Sequence, residues 1–158
     1  MNALVIYDSQ YGNTQRIATA IADTLRTSGD VRLVRVEPAQ PIELGDADLL
    51  ILGCPTQGWR PTLAMQALLA SLTPDKLHGK AIACFDTRFQ KPRWLTGSAA
   101  HGMAKAFQRM GVSLIVPAES FFVNHTEGPL TTGELGRAAV WARILLDKIE
   151  TPHPAMQR

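Results

Sequence analysis

Apolar positions along this chain alternate between two periodicities, and the alternation runs from end to end without a linker or repeat. Short, nearly continuous apolar runs occur at Ala3–Tyr7, Leu49–Gly53 and Lys80–Phe85, as expected of parallel strands covered on both faces. Val31–Val36 interleaves Arg32 and Arg35 with its apolar residues, which suits an edge strand. Ser113–Val116 completes a set of five, with Ser120–Val123 as its extension. Between these runs the spacing changes to that of helices. Ile17, Ile21 and Leu25 recur every four residues, with Gly29 placed to end the helix as a C-cap. Met65, Leu68, Leu69 and Leu72 form a second stripe, and Ala100, Met103, Ala104 and Phe107 a third. Leu135, Ala138, Ala139, Ala142, Leu146 and Ile149 form the last, with Thr131 and Glu134 spaced as a capping box. Pro38 and Pro41 oppose a regular helix between the second and third strands, so an irregular connection is expected there. Strands alternating with helices predict an open α/β sandwich. One domain is expected over residues 1–150, followed by a loose, Pro-containing tail over 151–158.

In such sheets a ligand sits beyond the carboxyl ends of the strands, where the winding reverses. Three loops should therefore converge: 8–14, 54–62 and 86–97. The first contains Ser9-Gln10-Tyr11-Gly12-Asn13-Thr14, directly between a strand and a helix. Backbone N–H groups and the positive end of a helix dipole would face an anion there. Ser9, Tyr11, Asn13 and Thr14 offer side-chain donors, while the loop holds no lysine or arginine. That composition suits a phosphate held by hydrogen bonds rather than by an ion pair. Its simpler alternative is an ordinary turn in which Asn13 or Thr14 caps the helix.

The second loop reads Gly53-Cys54-Pro55-Thr56-Gln57-Gly58-Trp59-Arg60-Pro61-Thr62, and the third carries Asp86, Thr87, Arg88, Phe89, Lys91, Arg93 and Trp94 before Gly97. Aromatic residues beside a phosphate nest suit a ligand with an anionic tail and a flat ring. Alternatively Trp59, Phe89 and Trp94 cover helix ends or anchor a protein interface.

On these residues the whole chain resembles the flavodoxin family, specifically short-chain flavodoxin-like domains that bind FMN. The first loop is similar to the family's T/S-x-T-G-N-T phosphate motif, with Ser9 and Tyr11 in place of the usual threonines. Gly53-Cys54-Pro55-Thr56 is similar to the start of the loop covering one face of the flavin. Phe85–Gly111 matches the third flavin loop and its helix in length and in the position of Gly97. The resemblance implies a three-layer sandwich around a five-stranded parallel sheet in the order 2-1-3-4-5. It implies that Ser9, Gln10, Tyr11, Gly12, Asn13 and Thr14 hold the FMN phosphate. Pro55, Thr56, Gln57, Gly58 and Trp59 would follow the ring edge, and Asp86, Thr87, Arg88 and Trp94 would close the other side. In the family the peptide at the Gly58 position rotates on flavin reduction and its carbonyl accepts from the ring N5, which a glycine makes easy.

The match also breaks in places. Gln57 stands where many flavodoxins carry a stacking tryptophan, and a Pro-containing stretch replaces the usual Gly-Asp-rich third loop. Flavodoxins are usually strongly acidic, whereas this chain has 16 Lys and Arg against 14 Asp and Glu, a net charge of +2. Arg60, Arg88, Lys91 and Arg93 crowd the expected ring position. They would favour an anionic reduced flavin, receive a carboxylate or phosphate of a second molecule, or form a solvated rim.

Bulk properties change this reading little. A hydrophobic content of 46% and charged content of 19% are ordinary for a globular domain. The small net charge gives no reason to expect nucleic acid or membrane partners. Cys54 and Cys84 lie in apolar runs and read as buried thiols in a reducing compartment; with no signal peptide or membrane-crossing apolar run legible, a cytoplasmic location is the default expectation. The four histidines show no metal-ligand spacing and are expected at the surface or in loops. Neither G-x-G-x-x-G nor G-x-x-x-x-G-K-[ST] occurs.

An FMN-binding carrier of electrons between redox partners, a protein or a small-molecule donor or acceptor, is the leading expectation. The alternatives are an FMN-dependent reductase or oxidase of a quinone-like or anionic small molecule, and a flavodoxin-like binding module without cofactor. A phosphoacceptor domain is disfavoured because Val116–Asn124 supplies no lysine beside Asp8, Asp46, Asp48 and Asp86.

Overall fold

The computed structural model describes residues 1–151. Eleven elements follow in chain order: β1 Asn2–Tyr7, α1 Asn13–Leu25, β2 Asp30–Arg35, β3 Leu49–Pro55, α2 Leu63–Ser71, α3 Pro74–Leu77, β4 Ala81–Phe89, α4 Arg93–Thr96, α5 Ala99–Arg109, β5 Glu119–Val123 and α6 Glu134–Glu150. All strands pair in parallel, in the order β2-β1-β3-β4-β5. The expected tail lies, from residue 152 onward, outside the described residues.

Period-two alternation within the strands divides the core. Val5 and Tyr7 of β1 face Ile17, Ala18, Ile21 and Leu25 of α1, which share that layer with Ala138, Trp141, Ala142 and Leu145 of α6. Leu4 and Ile6 face the opposite way, toward the layer of Met65, Leu68 and Leu69 of α2 and Ala100, Met103 and Phe107 of α5. Each fully buried aliphatic or Phe side chain stabilises the fold by about 1.5–3 kcal/mol. In the first layer Phe85, Phe121 and Trp141 meet edge to face, with centroids 5.9–6.1 Å apart. Gly53 makes that cluster possible. A Cβ there would stand 2.0 Å from Phe85 Cζ, so a side chain at 53 and a ring at 85 exclude each other.

Several local expectations are corrected. Ser113–Val116 is not a strand: Ile115 N–H donates to Ile82 O, but Pro117 has no N–H, and pairing with β4 starts only at Glu119. The Arg26 backbone, not Gly29, ends α1. Gly29 instead lies against Met1, whose carbonyl oxygen would be 2.1 Å from an added Cβ. The capping box does not form, because Gly133 is the N-cap of α6 and Glu134 is its first residue. The Glu134 carboxylate is taken by Arg137 (2.7 Å) and by the Phe122 N–H (2.7 Å). Burial pushes its pKa up, but those two partners outweigh it and hold it below the ordinary carboxylate value. The chain between β2 and β3 has no helix, as Pro38 and Pro41 predict, and β2 is an edge strand. No helix among the described residues is long and apolar enough to cross a membrane.

Candidate functional site

At the carboxyl ends of β1, β3 and β4 the three expected segments meet, joined by a fourth after β5; the second and third begin as strand rather than loop, since β3 runs on to Pro55 and β4 to Phe89. They enclose a cavity of about 510 Å³, within the range of small-molecule sites. Its wall includes Ser9, Gln10, Tyr11, Asn13, Thr14, Pro55, Thr56, Gln57, Gly58, Trp59, Thr87 and Arg88 from the expected set. Phe89, Lys91, Leu95, Thr96, Val123 and Thr126 complete it. No Asp, Glu, His or Cys is among these residues.

The loop after β1 is shaped mainly by one hydroxyl. Ser9 is buried, and its Oγ accepts from Gly12 N–H (3.1 Å) and Gln15 N–H (3.4 Å). Gly12, at φ 90°, turns the chain into α1, whose N-terminus has no side-chain cap. Among the described residues the N–H groups of Gln10, Tyr11, Asn13 and Thr14 have no intramolecular acceptor. Four orphan donors at the positive end of a thirteen-residue helix form an anion cradle.

The side chains contribute less than the sequence suggests. Ser9 Oγ accepts twice within the turn and keeps its own O–H to donate. Asn13 Nδ2 donates to Glu127 O (3.2 Å), and its amide packs so closely on Gly128 that a Cβ there would be 2.7 Å from Oδ1. Thr14 Oγ1 shares a hydrogen bond with Thr87 Oγ1 (2.8 Å). Of the four expected side-chain donors only Tyr11, half exposed, has no protein partner among the described residues. The backbone amides are therefore the larger set of unpartnered donors at this end of the cavity.

The loop after β3 is a two-residue hairpin. Gln57 and Arg60 exchange N–H···O bonds of 2.9 and 3.0 Å, and Gly58 and Trp59 both have positive φ, 53° and 66°. That combination marks a type I′ turn. For a tryptophan it is strained, by about 1–3 kcal/mol. Two contacts hold it: Trp59 Nε1–H donates to Leu95 O (2.7 Å), and Trp59 bridges Gly97. Gly97 is itself at φ 68° and ψ −174°, and a Cβ on it would come within 2.4 Å of Trp59 Cα.

Asp86 does not reach the cavity. It is fully buried behind the wall, where Oδ2 accepts from Ser98 Oγ (2.5 Å), Ala100 N–H (3.0 Å) and Thr56 Oγ1 (3.2 Å). It thus clamps the β3 loop to the start of α5. Oδ1 has no hydrogen-bond partner and lies 4.0 Å from Arg88 Nε. Burial pushes the Asp86 pKa up, opposed by the Ser98 and Ala100 donors. Trp94 is also outside the cavity wall, on the exposed face of α4. Arg88 lines the wall, but its guanidinium is engaged: Nε donates to Ser120 Oγ (2.9 Å), and Nη1 to Lys91 O (2.7 Å) and Thr96 Oγ1 (3.3 Å). It is a brace for the 89–96 segment rather than a free cation.

Cys54 and Cys84 are free and buried, and burial pushes both thiols far above their ordinary pKa, which opposes the reactive thiolate form. His78, His101 and His125 are exposed; His153 lies outside the described residues. Among the described residues no group of His, Cys, Asp and Glu could hold a metal.

The sequence model of the family described as Flavodoxin matches residues 5–118. This chain belongs to the flavodoxin family. The flavodoxin of Megasphaera elsdenii is 31% identical over 84 residues, which are 51% of this chain and 61% of that protein. Among solved structures, a flavodoxin from the domain Archaea superposes with a TM-score of 0.74 at 24% identity, covering 96% of this chain and all of that one. Oxidised Flavodoxin 2 from Bacillus cereus gives 0.74 at 20% identity, over 94% and 99% of the two chains. Those two likenesses establish the shared fold. Flavodoxins as a family bind FMN and carry electrons.

Proposed function

We propose that this protein binds FMN in the cavity and passes electrons between redox partners. One observation carries the reading. The orphan amides of Gln10, Tyr11, Asn13 and Thr14 open onto the same cavity as Tyr11, Trp59, Phe89 and Leu95, so an anion cradle and apolar walls share one space. The residues fit the group: neutral donors for a phosphate, and an aromatic-lined slot for a flat ring. Bound there, FMN supplies reversible electron acceptance, and the protein supplies binding and electrostatics.

The chain's own residues would divide the task as follows. The first loop holds the phosphate through backbone N–H groups. Trp59 and the Gly58 peptide border the ring and keep water from one side, while Thr87, Arg88 and Phe89 support the other. Lys91 adds positive potential at the wall. The wall holds no Asp, Glu, His or Cys, and its titratable groups besides Arg88 are Tyr11 and Lys91, a poor set for moving substrate protons near neutral pH, which favours a carrier over a reductase. We place the protein in the cytoplasm, where the two buried free thiols suit a reducing compartment.

The test is a titration of apoprotein with FMN and with riboflavin. The cradle predicts that FMN binds at least about a hundredfold tighter, since only it carries the phosphate, about 2.8 kcal/mol. Equal affinities would remove the phosphate from the cradle, and failure to bind either would end the carrier reading.

A further inference from the structure

The net charge of +2 conceals a segregation. Residues 56–74 and 87–118 carry six cations (Arg60, Arg88, Lys91, Arg93, Lys105 and Arg109) and no Asp or Glu. All 14 carboxylates lie elsewhere, against the remaining ten cations. Both segments reach the cavity wall, the first through Gln57, Gly58 and Trp59 and the second through Arg88, Lys91 and Leu95, while α2 and α5 contribute no wall residue. The two segments are fastened together. Trp59 Nε1 donates to Leu95 O, Arg93 Nη1 lies 2.9 Å from His101 Nδ1, and Pro61 packs beside Gly102.

The same segments expose large apolar groups. Leu63 is 83% exposed, Trp94 79%, Trp59 63% and Leu95 47%. Two exposed indoles and two exposed leucines, with Arg60, Lys91 and Arg93 beside them in the chain, have the composition of an interface centre with a charged rim. Arg60, Lys91 and Arg93 form no ion pair with any described residue. Burial, Arg93 and Lys105 together push the His101 pKa below its ordinary value, as a crowded positive face requires.

We propose that this face is the docking surface for an acidic redox protein, which closes over the cavity mouth with its carboxylates against Arg60, Lys91 and Arg93. The proposal rests on the FMN-carrier reading and adds the chemistry of the partner. Trp59, Leu95 and Lys91 belong both to the cavity wall and to this face, so a protein seated here lies next to the bound ring. A second copy of the chain is disfavoured, because a two-fold contact would bring like charges together. Charge complementarity of this kind acts chiefly on the association rate, and salt screens it.

The experiment mixes FMN-loaded protein with a stoichiometrically reduced, acidic plant-type [2Fe–2S] ferredoxin as the probe, and follows flavin absorbance by stopped flow. The second-order rate should fall at least about tenfold as ionic strength rises from roughly 0.01 M to roughly 0.5 M. Arg60→Glu/Arg93→Glu should lower the low-salt rate at least about tenfold and flatten or invert the salt dependence. Arg143→Glu/Lys148→Glu on α6, far along the chain from this face, should change neither. A salt-insensitive rate, or equal behaviour of the two double variants, overturns the proposal. So does sedimentation with phosphatidylglycerol vesicles that depends on Arg60 and Arg93 while transfer from ferredoxin does not, since the face would then serve a membrane. Flavin absorbance separates the two levels. A protein that takes up no FMN overturns the carrier reading and this one with it, whereas a loaded protein with salt-insensitive transfer overturns the docking alone.

Discussion

Gly97→Ala tests the join between the β3 hairpin and the α4 segment. Two costs add at this position. The backbone lies at φ 68°, ψ −174°, a region essentially restricted to glycine, where a side chain costs about 1–3 kcal/mol. The new Cβ would also stand 2.4 Å from both Cα and Cβ of Trp59. Backbone cannot swing aside as the end of a flexible side chain can, and forced overpacking of this kind costs about 1–3 kcal/mol. Together these give about 3–5 kcal/mol, a large share of the 5–15 kcal/mol of a typical domain. Gly79→Ala is the control: its φ of 75° is also positive, but nothing lies within 4 Å of an added Cβ. It should cost only about 1–2 kcal/mol. Urea unfolding of both apoproteins measures the difference. At a slope of about 2 kcal/mol/M, the Gly97→Ala midpoint should fall about 1 M further than that of Gly79→Ala. If the hairpin relieves the clash by lifting off, the loss moves to the cofactor, and FMN affinity drops at least about tenfold in Gly97→Ala alone. A Gly97→Ala protein matching Gly79→Ala in both stability and FMN affinity would refute the reasoning.

The other predictions concern single groups. Ser9→Ala removes the acceptor of the Gly12 and Gln15 amides; it should weaken FMN binding by about 1–2 kcal/mol while leaving riboflavin binding nearly unchanged, and equal losses for both ligands would count against the cradle. Asp86 has a raised folded pKa, so its contribution to stability is present in full below the unfolded carboxylate value and is lost as pH rises through the folded one. The stability of wild type relative to Asp86→Asn should therefore decline from acid toward neutral pH, and a flat difference in urea midpoints would contradict it. Glu134 has the opposite sign: its contribution is present above the unfolded pKa and lost as pH falls through the folded one, so Glu134→Gln should cost stability at pH 7 and little at low pH. Trp94→Ser should leave FMN affinity intact, since Trp94 is outside the cavity wall, while slowing transfer from acidic ferredoxin; a Trp94→Ser protein that loses its flavin would return the indole to the ring site.

The fold was legible because β1, β3 and β4 are covered on both faces and the long helices on one, so each announces itself by its own period. The three loops could be found for the same reason: strand ends are visible, and a parallel sheet gathers its ligand at one edge. What sequence could not supply was the partner of each polar group. Asn13 and Thr14 look like ligand donors until Glu127 O and Thr87, more than 70 positions away, are brought to them. Asp86 and Arg88 are neighbours in the chain, yet one is buried as a clamp and the other braces a loop from the wall. Thr126 and Val123 gave no local signal, because their place in the cavity depends on how the chain leaves β5. The capping-box pattern failed by register: Gly133 is the N-cap, so Glu134 stands one residue into α6 and its carboxylate goes to Arg137 and the Phe122 amide. Pro117 was visible and decided where β5 begins.

Because Ser9 Oγ gathers the Gly12 and Gln15 amides within the protein itself, the cradle is preorganised: its shape does not wait for a ligand to impose it. A mononucleotide entering it would meet donors already aimed and would spend little of its affinity on ordering the chain. The empty protein should then be a stable species that recaptures cofactor quickly, and cofactor exchange should proceed without unfolding.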